Sequence, residues 1–356
     1  MTIHVHTLRG CTSAPLAHYL KALGILRLVA QNADPTARGA WRDGAWVMLT
    51  TLDREELERF FLESYQPTPT LSPWNKGSGF YQTNDKGLSP LERSIAPRLQ
   101  LFRDGIAAAR SLLEAITTAD AEVRSIKAES NAIKGAAERN RFREDPEYKR
   151  RIAEAERRFK ALKEGDMLPD CRRQWRGPLR QWLDAALTLD GAGKAAFPAL
   201  LGTGGNDGRL DFTNNFMQRL GDLFNLSQPE APARAGVDAL LTAALWGTPG
   251  LGLQRGAAIG QYLPGGAGGA NSTTGPSGDS LLNPWDFVLM MEGTLLFTSQ
   301  ATRRLASTGQ AQASAPFALR GHATGYAGAS AAEESARGEQ WMPLWDRLMT
   351  IGEVQR

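Results

Sequence analysis

The chain has 356 residues, 42% hydrophobic and 22% charged, which excludes wholesale disorder and leaves room for two or three domains. Its 41 Lys and Arg stand against 38 Asp and Glu, a net charge of +3, too small by itself to point to a polyanion partner. Two cysteines, Cys11 and Cys171, exclude a disulfide framework and a multi-cysteine zinc site, and four histidines leave few ligands for a transition metal.

From the N-terminus, Ile3 to Leu8 alternates in type and predicts a short strand ended by Gly10. Thr12 or Ser13 is placed to cap a helix with Pro15 in its first turn, and Leu16, Tyr19, Leu20, Leu23, Leu26 and Ala30 carry that helix to about Gln31. Asp43-Gly44, between Trp41 and Trp46, is a tight-hairpin signal. Asp53 with Glu56 three residues on caps a further helix, which Pro67 and Pro69 keep from continuing. Pro73 to Phe80 reads as a loop, and Ser89-Pro90-Leu91-Glu92 as a capping box opening a helix that Pro97 breaks or kinks. A charge-dense helical region follows to about Leu189, with a second start signal at Asp145-Pro146.

Past Gly191 the texture turns apolar and Gly-rich. Leu201 to Leu210 precedes a helix from about Phe212 to Phe224, and 229–236 is a linker-like break. Residues 264–280 form a long polar loop, a helix is expected from Trp285 to Leu305, and 306–337 is an Ala/Ser/Gly-rich tail. The resulting class is α+β and predominantly helical. It divides into an N-terminal α+β region (1–88), a basic helical region (89–189) and a Gly-rich loop/helix region (190–356). No stretch has signal-peptide or membrane-spanning character: the most apolar, Leu281 to Phe297, carries Pro284, Asp286 and Glu292. No membrane association and a cytoplasmic location are therefore expected.

Charge is unevenly distributed. Between Arg124 and Arg180, seventeen Lys and Arg face ten Asp and Glu, leaving this segment seven positive and the rest of the chain four negative. Such a segment is either a solvated, salt-bridged face or a surface for phosphate, for which Arg150, Arg151, Arg157 and Arg158 are the candidates. The glycine run from Gly202 to Gly208 does not make a P-loop, because Arg209-Leu210 stands where Lys-Ser/Thr is needed. A nucleotide-dependent or hydrolytic enzyme using this loop is the rival reading. Small polar side chains on glycine-flanked backbone suit base edges instead, because the chain can enter a groove without a Cβ clash. Three loops offer this: Asn75 with Lys76 and Ser78; Asn206 with Arg209, followed by Asn214 and Asn215; and Asn271 with Ser272 and Thr273. A zinc site would need His4, His6, Cys11 and His18 all to converge, so ordinary strand and helix packing is the expectation for them, and neither His18 nor His322 sits in a nucleophile-elbow context. No cofactor, metal or catalytic residue is expected.

Several blocks together resemble one family, the large subunit of type I-G (formerly I-U) CRISPR effector complexes, the crRNA-guided Cascade assemblies. They are Leu8-Arg9-Gly10-Cys11 with Pro15-Leu16 and Tyr19 to Gly24; Asp34 to Gly39; Pro73-Trp74-Asn75 with Gly77-Ser78-Gly79-Phe80; Gly202 to Arg219; and Asp279 to Phe287 through Thr302-Arg303-Arg304. Family members are longer, so the chain, which stops soon after Trp341 to Asp346, is similar to the N-terminal part of that subunit. The resemblance implies a non-enzymatic DNA-binding subunit. It would recognise the protospacer-adjacent motif, help open target double-stranded DNA, sit with crRNA and backbone subunits, and help recruit a helicase-nuclease.

Overall fold

The computed structural model describes residues 2–165, 167–189, 195–197, 200–201, 212–248, 253–257, 262–263, 265, 280–303, 311–314, 316–320 and 338–356. The fold is α+β and mostly helical, as the sequence implies. Its helices are α1 (Leu16–Asn32), α2 (Arg54–Arg59), α3 (Leu88–Arg93), α4 (Gln100–Asn131), α5 (Ala136–Glu144), α6 (Pro146–Glu164), α7 (Met167–Gln174), α8 (Gly177–Ala186), α9 (Phe212–Leu223), α10 (Val237–Trp246), α11 (Pro284–Thr294) and a closing turn, α12 (Ile351–Val354). The strands are β1 (His4–Thr12), β2 (Arg38–Arg42), β3 (Ala45–Thr50), β4 (Thr188–Leu189), β5 (Ala195–Ala196), β6 (Gln254–Ala257), β7 (Ser280–Leu282), β8 (Gln300–Arg303), β9 (Ala311–Ser314), β10 (Ala318–Arg320), β11 (Gly338–Gln340) and β12 (Met349–Thr350).

One antiparallel sheet, in the order β1-β3-β2-β12, backs the core. Its hairpin turns on Asp43 and Gly44, with φ of 50° and 75°, the two positive values a type I′ turn requires. β1 does not stop at Gly10: after Leu8↔Trp46 its register slips through a bulge and it rejoins β3 at Thr12↔Ala45.

α1 is buried all round rather than along one stripe, because the sheet covers one side and α11 the other. Leu20, Leu23, Ile25, Leu26 and Leu28 are each almost fully covered, and burial of such side chains contributes roughly 1.5–3 kcal/mol apiece. α1 and α11 touch backbone to backbone: a Cβ on Gly24 would fall 2.1 Å from Leu289 O, and one on Gly293 1.9 Å from Leu20 O. Charged residues inside this contact are paired. Lys21 meets Asp286 at 2.6 Å, and Arg27 meets Glu292. Glu292 also accepts from Tyr65 OH (2.6 Å), Thr68 N (2.9 Å) and Thr68 Oγ1 (2.7 Å), so its lone pairs are filled without water.

The boundaries expected at 88/89 and 189/190 do not separate cores. One hydrophobic core runs from Leu8 through Leu113 and Trp182 to Phe297, and β12 pairs with β2, so the first and last regions interleave. Among the described residues, only the outer half of α4, with α5 and α6, has a small core of its own, made of Val123, Ile126, Tyr148 and Ala155.

Local start signals fared unevenly. Asp53 and Glu56 form the full capping box of α2, and Asp145 accepts from Glu147 N and Tyr148 N to start α6. α1, however, starts at Pro15 with no side-chain cap, since Thr12 Oγ1 donates to Ala14 O instead. At α3, Ser89 lies inside the helix, and Asp85 supplies the acceptor for Gly87 N and Leu88 N. α11 ends at Thr294, eleven residues short of the expected Leu305, and the chain turns extended at β8, where Thr302 favours a pleated strand.

Candidate nucleic-acid interface

The segment from Pro73 to Phe80 folds into a tight turn, and its own polar atoms explain why. Asn75 Oδ1 accepts from Gly77 N at 3.0 Å and starts a single 3-10 turn, Lys76–Ser78. Ser78 Oγ donates to Asn75 O at 2.6 Å. Gly79 then takes a φ of 89°, and a Cβ there would come within 2.6 Å of Asp85 Oδ1, so a glycine is needed on both counts.

Asp85, against which Gly79 packs, ties the start of α3 to α9. Besides Gly87 N and Leu88 N, its Oδ1 accepts from Asn214 Nδ2 at 3.0 Å, while Gln218 Nε2 donates to Asn214 Oδ1 at 2.5 Å. The turn also lies alongside α4. Arg124 Nη1 donates to Tyr81 O at 3.1 Å, Tyr81 OH donates to Pro73 O at 2.8 Å, and Trp74 packs on Trp175, with ring centres 6.2 Å apart. Arg110 lies 5.6 Å from the Phe80 ring and grips Glu92 with two hydrogen bonds, which hold that carboxyl below its usual range.

The structure sorts the residues expected from the sequence. Asn75 is half-buried; its Oδ1 is used by the cap, and its Nδ2 makes no hydrogen bond among the described residues. Ser78 and Asn214 are buried, and their polar atoms are consumed by Asn75, Asp85 and Gln218. Ser78 therefore builds the turn and Asn214 ties α9 to Asp85, so neither is open to a ligand, a correction to the expected contact role. Asn215 is half-buried beside Asn214 on α9. Asn206, Arg209, Asn271, Ser272 and Thr273 lie outside the described residues. Asp85, Arg124 and Trp175, which assemble the site, were not read from the sequence. An aspartate just before Gly87, where a helix begins, was the available signal for the first of them.

The basic region becomes an arm. α4 has 32 residues, about 48 Å at 1.5 Å per residue, and α6 returns alongside it. Two of the four expected phosphate contacts are already paired: Arg151 makes two hydrogen bonds to Glu129, at 2.9 and 2.6 Å, and Arg158 reaches Glu122 at 3.5 Å. That correction follows from α4 placing acids opposite α6. Arg150 and Arg157 are exposed and make no ion pair among the described residues.

Neither cysteine is poised for chemistry, since burial pushes both thiols up to about 12. Among the described residues no group of three or more His, Cys, Asp or Glu is placed to hold a metal, and no helix is long and apolar enough to cross a membrane. No protein-family model matches the chain, and no curated protein matches it significantly.

Proposed function

We propose that the chain is the large subunit of a crRNA-guided type I CRISPR surveillance complex. It binds target double-stranded DNA, reads the protospacer-adjacent motif, helps unwind the duplex and helps recruit the helicase-nuclease. One observation carries the reading: an Asn75 turn, closed by Ser78 and packed through Gly79 against Asp85, lies alongside a long cation-bearing arm. Asn75 Nδ2 offers donors, and the minor groove presents acceptors at A N3 and T O2, so the chemistry is complementary. The arm supplies the sequence-independent part, because phosphate contacts position a protein and base contacts specify. Catalysis belongs to the partner in this reading.

The test is a gel shift of the assembled complex on targets with and without the adjacent motif, using wild type and Asn75→Ser. Serine keeps a capping oxygen and deletes the amide, so the fold is retained. Motif-bearing DNA should bind more weakly by about 1–3 kcal/mol, the scale of one base-edge interaction, with motif-free DNA nearly unchanged. Equal losses on both DNAs would reduce the turn to a backbone contact. A wild-type complex that ignores the motif would sink the reading.

A further inference from the structure

Charge on the arm is divided lengthwise. Along the shaft, Lys127–Glu156, Arg151–Glu129 and Arg158–Glu122 tie α4 to α6 and cancel in pairs, and Arg150 and Arg157 stay exposed with no ion pair among the described residues. At the tip the situation differs. Residues 131–143 hold Lys134, Arg139, Arg141 and Arg143 against the single acid Glu138. None of these four cations has a carboxylate within ion-pair distance among the described residues.

Two of the four explain how the tip is built. Arg139 Nε and Nη2 donate to Ile133 O at 3.3 and 3.0 Å, and Arg143 donates to Ser130 Oγ and Asn131 Oδ1 at 3.3 and 2.9 Å. They cluster at the C-terminal end of α4, where the helix dipole is negative and cations are favoured. Gly135, at a φ of 111°, turns the chain into α5, and Phe142 packs on Tyr148 with ring centres 5.0 Å apart. The remaining two, Lys134 and Arg141, are exposed and make no hydrogen bond or ion pair among the described residues. A rigid base thus presents cations that the fold itself does not use.

We propose that this tip, Lys134 and Arg141 supported by Arg139 and Arg143, binds the phosphodiester backbone of a nucleic acid, and that the ion-paired cations of the shaft do not. The inference rests on the DNA-binding reading above and assigns the phosphate contact within it to residues not among the four expected from the sequence. Arg141 keeps its whole donor fork, which meets a phosphate with two parallel N–H donors, and Lys134 adds a compact positive charge near it in sequence. A membrane surface fits less well: the tip has no large exposed apolar side chain, Ile133 and Phe142 being half-buried, and such anchors are what an interfacial helix inserts.

The experiment measures binding of the full chain to a short DNA duplex by fluorescence anisotropy, from about 50 to 200 mM salt. Lys134→Gln/Arg141→Gln removes charges that touch nothing in the fold, and an unchanged melting temperature verifies this. The expected result is a several-fold loss of affinity, with a salt slope shallower by roughly 0.9 for each phosphate no longer neutralised. Arg151→Gln/Arg158→Gln should keep a slope near that of wild type. If wild type binds and the tip variant keeps both affinity and slope, the tip assignment is wrong while the DNA-binding reading stands. If wild type shows no salt-dependent binding to the duplex, both fall. Tip-dependent binding to phosphatidylserine vesicles or to polyglutamate, with none to DNA, would replace the nucleic acid by a lipid or an acidic protein and overturn the proposal.

Discussion

In the core, Arg27 meets Glu292 with both side chains almost wholly buried; on the arm, Arg151 meets Glu129 with the two 42% and 39% exposed. The pairs look alike as contacts and differ as energies. A buried pair is held by its own hydrogen bonds, and loss of one partner strands a charge in a medium that cannot solvate it. An exposed pair exchanges water for a neighbour and is screened by salt. Removing one charged partner is therefore expected to cost the core far more than the arm.

The largest effect is expected where the core is most committed. Glu292→Ala leaves Arg27 unpaired and deprives Tyr65 OH and Thr68 of their acceptor. A loss of about 3–5 kcal/mol in urea unfolding follows from breaking a buried pair. A loss below about 1 kcal/mol, the scale of exposed pairs, would remove the distinction between the two regions.

Next comes the helix contact itself. Gly293→Ala puts a methyl 1.9 Å from Leu20 O, which forces α1 and α11 apart, at a cost of about 1–3 kcal/mol or more for overpacking. Gly221→Ala is the control, since its added Cβ meets only Leu226 Cδ1, at 3.7 Å, and a helix gains from the exchange. If both variants unfold at the same urea concentration, the close approach is not what limits packing.

Much of this was legible. The Asp43-Gly44 turn, the Asp53 and Asp145 caps and the Phe212 helix are local events, decided by a few neighbouring residues, and they appear where the sequence places them. Tertiary choices were not. Nothing near Glu292 in the chain announces Arg27, which is 265 positions away, and helical spacing cannot say whether α1 is covered on one side or on all. The same holds for the candidate site. The Asn75 turn is visible as a glycine-flanked loop, but the Asp85–Asn214 contact beside it spans 129 positions. Composition gave the arm its positive total and could not tell paired arginines from free ones, because that depends on which acids α4 sets opposite α6.

Asp34 carries the comparison into pH. Burial pushes its carboxyl up, but hydrogen bonds from Thr36, Thr51 and Thr50 outweigh this and lower it to about 2. The folded value lies below the unfolded one, so the contribution is present above about pH 4 and is lost as pH falls toward 2. A shift of this size is worth about 2 kcal/mol. In acid titrations of stability, wild type should lose that much more than Asp34→Asn between pH 5 and 2, a window set by the two carboxyl values. Parallel curves would mean the hydrogen-bonded carboxylate contributes nothing.

The smallest effect is expected on the arm, at the pair that looks best. Arg151 makes two hydrogen bonds to Glu129, and each group shifts the other: the carboxyl is held below its usual range and the guanidinium above. Geometry alone would rank this pair with Arg27–Glu292. Solvent decides otherwise, because either side chain, released, recovers its hydration, and salt screens what attraction remains. Glu129→Gln, Arg151→Gln and the double variant should unfold at the wild-type urea midpoint, with no coupling between the two sites at physiological salt. What holds α6 to α4 is the small core instead, so Tyr148→Ala, which empties its centre against Phe142, should speed hydrogen exchange along α6 while the single charge variants leave it unchanged. Faster exchange in Glu129→Gln than in Tyr148→Ala would mean the arm is held by its charges after all, and the tip would then rest on a mount that dissolves in salt.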